Sequence, residues 1–208
     1  MRFADPSRTV SNAKADPVSL IRPARRQEVS EAQTVLATAF AEFRDRAPRV
    51  IWNAYQDDLR RLEQRWKDAV VLVAEIGGRI AGTVSFYADA SLEGLGLPAE
   101  YSGFRSLAVD PQARGRGVAR MLVQECIDRA QVPNSAGVAI HTASFMQTAC
   151  RIYEGMGFHR WPEHDCRASE ILGVDAAMGE VMVIAYRLNF IRSRSGRAIG
   201  PACAEQRR

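Results

Sequence analysis

The residues best placed to do chemistry stand in one stretch, Ser106 to Gln124, which reads SLAVDPQARGRGVARMLVQ. A β-rich run leads into a turn of glycines and arginines, and a helical pattern opens directly from it. The first turn of a helix presents unpaired N–H groups and a partial positive charge, so it attracts anions. Gly115 and Gly117 lack a Cβ, which lets the backbone curl into a nest of N–H groups and approach a phosphate closely. Arg114, Arg116 and Arg120 surround that nest with permanent charge. A pyrophosphate or similar anion is the ligand this chemistry suits.

Two nucleotide-binding signatures fail on identified residues. A P-loop needs Gly-Lys-Ser/Thr at the helix entrance, where Val118-Ala119-Arg120 stands. The dinucleotide fingerprint needs a third glycine at the position of Arg120. A metal centre finds little support either. Cys126, Cys150, Cys166 and Cys203 include no C-x-x-C pair, and His159, His164, Asp165 and Cys166 follow no zinc spacing. Unpaired thiols of this kind suit a reducing cytoplasm.

Around the loop, hydrophobic periodicity lays out the elements that must position it. Val18–Arg22 has strand character. Apolar residues from Val29 to Phe43 recur at helical spacing and predict a helix over Gln27–Phe43. The stripe Trp52, Tyr55, Leu59, Leu62, Trp66 predicts a second helix over Arg49–Trp66, facing the core or covering a pocket. Val70–Ile76 and Arg79–Tyr87 read as strands joined by a Gly77–Gly78 hairpin turn, the first covered on both faces. A long connection over 88–103 follows, of a length that is often functional. A strand over Phe104–Val109, a helix over Gly115–Gln131, a strand over Ala136–Thr142, a helix over Met146–Met156 and a closing strand over Glu180–Leu188 complete the pattern.

The whole net charge of +4 sits in the last eighteen residues, where five arginines face one glutamate. The body is therefore electrically balanced, which argues against nucleic acid as the main ligand. Nothing resembles a secretory signal or a membrane span. The expected organisation is an unstructured segment over 1–17, one domain over 18–190 and a solvated basic tail over 191–208.

RGRGVA resembles the Arg/Gln-x-x-Gly-x-Gly/Ala signature of the GNAT superfamily of N-acetyltransferases, with Arg114, Gly117 and Ala119 in its defined positions. Downstream, TACRIYEGMGF resembles that family's A-x-x-x-Y-E-x-x-GF block, in the family's order. The resemblance implies an α/β (α+β) fold in which a central mixed, mostly antiparallel sheet splays between its fourth and fifth strands and is flanked by helices. It implies acetyl-CoA as acyl donor, with no metal. The pantetheine arm would lie along Leu107, Ala108 and Val109, and the amides of Arg114, Gly115, Arg116, Gly117, Val118 and Ala119, with Arg120 beside them, would hold the pyrophosphate. A primary amine, on a small molecule or a peptide, would attack the thioester directly in a ternary complex. The Val109 N–H would stabilise the oxyanion, and Tyr153 would protonate the departing thiolate.

The sequence departs from that family at two points. The glutamate that many relatives carry at the start of the fourth strand has no counterpart in GFRSLAV, so Glu93, Glu100, His141 and Glu163 stand as candidate bases beside water-mediated deprotonation. Met146 stands where many relatives have an asparagine that contacts the pantetheine arm. The missing carboxylate keeps open a coenzyme-binding regulatory protein of the same fold. The Trp52–Trp66 stripe and the tail keep open an interaction module, and a homodimer is also compatible with the sequence.

Overall fold

The computed structural model describes residues 20–132, 134–192 and 198–201. The segment over 1–17, Cys203 and most of the basic tail lie outside the described residues. Among the described residues nine strands form the sheet: β1 (Leu20–Pro23), β2 (Val70–Ile76), β3 (Arg79–Tyr87), β4 (Ser102–Val109), β5 (Gly137–Ala143), β6 (His159–Arg160), β7 (Cys166–Arg167), β8 (Met182–Arg192) and β9 (Ala198–Pro201). The order is β1-β2-β3-β4-β5-β8-β6, with β7 and β9 also paired to β8. Every pairing is antiparallel except β4–β5. The helices are α1 (Val29–Phe40), α2 (Arg49–Leu59), α3 (Val118–Gln131), α4 (Gln147–Glu154) and α5 (Ala168–Leu172). The mixed, mostly antiparallel sheet expected from the sequence is present.

The alternation within β2 divides the core into layers. Leu72 and Ala74 pack with Leu122, Cys126 and Ile127 of α3 on one face. Val71 and Val73 pack with Ala32 and Val35 of α1 on the other. A strand buried on both faces loses the polar alternation of a half-exposed one, and so reads as a continuous apolar run. Leu36, Ala39 and Phe40 of α1 extend the second layer over Trp52 and Leu59 of α2 and Ala108 of β4.

Two expectations need correction. The helix over Arg49–Trp66 is not continuous: α2 ends at Leu59, and a 3₁₀ turn over Leu62–Lys67 follows. The Asp58 carbonyl accepts the Arg61 N–H (3.1 Å) and the Arg65 guanidinium (2.9 Å). With that acceptor taken, the α-helical ladder stops. The closing strand also runs past the expected end of the domain, through Ile191 and Arg192, and residues 198–201 of the tail pair back onto it. A strand edge left open by β5 offers hydrogen-bonding groups for such a hairpin.

At the centre, β4 and β5 pair only at Ser102↔Val138 and Gly103↔Ala139 and then diverge. The Ser135 hydroxyl pins the closed end, accepting from the Ser102 N–H (2.7 Å) and donating to the Gly137 carbonyl (2.6 Å). Beyond it β4 carries a bulge against β3, and Ser106 at its crest has φ +58°. The splay and the bulge together create the gap in which the site lies.

Candidate active site

The glycine loop folds as its composition requires. The Asp110 side chain caps the 3₁₀ turn Pro111–Ala113 by accepting the Gln112 N–H (2.8 Å), which brings the chain back toward α3. Gly115 and Gly117 then take φ values of +76° and +79°, in the left-handed region where a Cβ would be strained. Gly117 is the N-cap of α3, and no side chain caps it, so the first amides of α3 face the opening.

A cavity of about 740 Å³ runs from this loop along the splay. Leu107, Ala108, Val109, Arg114, Gly115, Gly117, Val118, Ala119 and Arg120 line it, and the start of α4 closes the far wall. Arg116 is not part of that wall; when the amides flanking a residue turn inward, its side chain projects outward, and Arg116 is exposed. Two other arginines are already engaged. Arg114 forks onto Glu42 (2.8 and 3.0 Å), and Arg120 reaches the Gly155 carbonyl (3.4 Å). Arg46, beyond the end of α1, is a further cation in the wall that no motif signalled.

The Asp110 N–H donates to the Ala81 carbonyl (2.9 Å). Antiparallel ladders alternate, so the N–H of Val109, one residue earlier, turns to the opposite edge and into the gap. That is the orientation an oxyanion donor needs.

A second cavity, about 540 Å³, lies on the other side of the β4 bulge. The two share Phe40, Leu107, Phe145, Met146 and Ala149, so they meet at the bulge. Met146 fills the junction with an apolar thioether, and the Thr142 hydroxyl lies 3.6 Å from its sulfur. Tyr153 lines this second cavity and packs between Phe104, Phe158 and Tyr186. Burial raises the pKa of its phenol, which keeps the group protonated through the neutral range.

The candidate bases separate by position. Glu100 and Glu163 are exposed and line neither cavity. Glu93 and His141 both line the second cavity and form a buried pair, Nδ1 to Oε1 2.7 Å. The other imidazole nitrogen, Nε2, lies 2.8 Å from the His164 carbonyl, which can only accept. Both nitrogens therefore donate, leaving no lone pair with which to take a proton. Burial opposes the charged ring, but contacts with Cys166, Glu93 and the His164 carbonyl outweigh it and lift its pKa to about 10. The expectation that His141 could act as a base gives way to an imidazolium role.

The Asp58 carboxylate on α2 is engaged with Arg65 (2.9 Å) and Arg105 (2.7 Å). Arg65 also donates to the Ser106 hydroxyl, and Arg105 donates to the Glu93 carbonyl (3.0 Å). This network ties α2, the bulge and the loop carrying Glu93 into one unit. No group of residues able to hold a metal occurs among the described residues.

The sequence profile of the Acetyltransferase (GNAT) family matches residues 37–158, more than half of the chain. The chain belongs to the GNAT acetyltransferase family. Among GNAT relatives it is 33% identical to the N-alpha-acetyltransferase RimI of Mycobacterium tuberculosis over 85 residues, 41% of this chain and 51% of that one. The stretches it shares with three curated relatives cover between 23% and 51% of their lengths. The ribosomal-protein-S18-alanine N-acetyltransferase of Escherichia coli has the same GNAT fold, with TM-score 0.60 at 14% identity, covering 90% of this chain and 98% of that one. A Bacillus anthracis acetyltransferase solved in complex with acetyl coenzyme A superimposes with TM-score 0.50 at 19% identity, over 60% of this chain and 64% of that one. Among the described residues no helix is long and apolar enough to cross a membrane.

Proposed function

We propose that this chain transfers an acetyl group from acetyl-CoA to a primary amine by direct attack in a ternary complex. The observation that carries the reading is the meeting of two cavities at the β4 bulge. One is floored by the glycine nest, and the other is lined by Tyr153. The amides over 114–119 receive the pyrophosphate, and the splayed edge of Leu107–Val109 pairs with the pantetheine arm. The thioester then sits beside Leu107 and Met146, with the Val109 N–H directed at its carbonyl oxygen. An amine entering from the second cavity attacks the thioester carbon, and Tyr153 donates a proton to the thiolate as the C–S bond breaks. The acetyl-CoA complex of the Bacillus anthracis protein supports the choice of donor.

Calorimetric titration with acetyl-CoA, followed by thiol release in the presence of an amine panel, tests the proposal. Saturable binding and amine-dependent thiol release are the expected results. Binding without release from any amine would instead favour a coenzyme-binding regulatory protein.

A further inference from the structure

One polar atom in the second cavity is left without a complement. The Glu93 side chain is buried; its Oε1 is held by His141, while Oε2 has no hydrogen-bond partner among the described residues. A buried carboxylate oxygen without a donor is costly, and a cationic N–H group satisfies it best. Glu93 is placed by its own segment. Asp89 caps the 3₁₀ turn Ala90–Glu93 through the Ser91 N–H (2.9 Å), and Gly94 ends it in the left-handed region. His141 of β5, Arg105 of β4, Tyr87 of β3 and Asp58 of α2 are the charged or titratable groups around it.

The other carboxylates of the cavity are engaged, Asp57 with Arg60 (2.9 Å) and Asp58 with Arg65 and Arg105. Arg61 is exposed in the cavity wall. The space therefore offers one buried anionic oxygen without a hydrogen-bond partner among the described residues, and a second cationic centre on the ligand would meet the guanidinium groups of Arg61 and Arg105. Trp52, Tyr55, Leu95, Ile171 and Leu172 supply its apolar walls.

 The volume of about 540 Å³ suits a small organic molecule.

We propose that Glu93 takes the ammonium group of the acceptor and then its proton, and that the acceptor is a small primary monoamine with an apolar body. This rests on the ternary-complex reading above. The ammonium donates to Oε2 and passes a proton to it. The neutral nitrogen attacks the thioester carbon, so the C–N bond forms as the C–S bond breaks and Tyr153 protonates the thiolate. The surplus proton on the new amide nitrogen restores Tyr153, and the proton on Glu93 leaves to solvent. His141 is a positioning residue, which holds Oε1 and leaves Oε2 free.

The test uses the full chain, acetyl-CoA, and phenethylamine and hexylamine against spermidine, with thiol release as readout. Near neutral pH, kcat/KM for the two apolar amines should exceed that for spermidine by about tenfold or more. Glu93→Gln should lower it about 100-fold while acetyl-CoA affinity holds, and should recover as pH approaches about 10, where the free amine forms unaided. Ile171→Trp narrows the apolar wall without touching the carboxylate, and should cost phenethylamine about tenfold. Wild-type kcat/KM in Glu93→Gln, a preference for spermidine, or an unaffected Ile171→Trp would each overturn this inference alone, whereas acetyl-CoA binding without release from any amine would overturn the ternary-complex reading with it. Failure to bind acetyl-CoA would overturn the earlier reading as well.

Discussion

The guanidinium of Arg65 donates to the hydroxyl of Ser106, the residue at the crest of the β4 bulge. A non-glycine residue at positive φ costs on the order of 1–3 kcal/mol, so a surrounding contact has to hold it. Arg65 is 7% exposed and simultaneously binds Asp58, so it fastens the end of α2 to the bulge. Arg65→Met should destabilise the fold by about 3 kcal/mol, the scale for breaking a buried ion pair. It should also lower kcat/KM, because the splay loses its fixed shape. Urea denaturation and steady-state kinetics check the two effects separately.

Tyr153→Phe removes one hydroxyl and keeps the ring contacts with Phe104, Phe158 and Tyr186. It should lower kcat about 100-fold or more, as expected for loss of a general acid. Acetyl-CoA affinity, read by calorimetry, should hardly change. An unchanged kcat would remove Tyr153 from the mechanism.

The Arg114–Glu42 pair is 42% and 46% exposed at its side chains, so it adds little to stability. On the proposed reading, Glu42 and a phosphate of the coenzyme would compete for its one guanidinium. Arg114→Ala should weaken acetyl-CoA binding by about tenfold or more, the worth of a charge-assisted hydrogen bond. Glu42→Gln should strengthen binding, and the two affinities can be compared at fixed salt.

The His141–Glu93 pair gives stability a defined pH dependence. The His141 pKa rises from 6.5 unfolded to about 10 folded. The folded state therefore holds the extra proton, and its contribution is complete below about pH 6.5. It is lost as pH rises through about 10. Denaturation midpoints measured from neutral to alkaline pH should fall more steeply in the wild type than in His141→Gln.

The glycine nest of the candidate site is legible in the sequence because it is local. The nest, the helix entrance and the Tyr153 block each lie within a dozen residues, and their spacing carries their geometry. The second cavity is assembled across the chain. Glu93 meets His141 48 residues away, and Arg65 meets Ser106 41 residues away. No periodicity links such partners, so Glu93 is one of several equivalent carboxylates until the fold buries it. The break after Leu59 escapes for the same reason, since the apolar stripe continues unchanged through Leu62 and Trp66 while a distant contact diverts the Asp58 carbonyl.

The Ser135 pin at Ser102 has a mechanical consequence. From Gly103 to Val109 β4 runs free of β5 for about 20 Å at the usual rise per residue. It stays paired to β3 over that length, so a rotation of the β3–β4 pair by about 3° at the pin would move the far tip by about 1 Å. Ser135→Ala, remote from the glycine nest, should therefore change the width of the gap between β4 and β5.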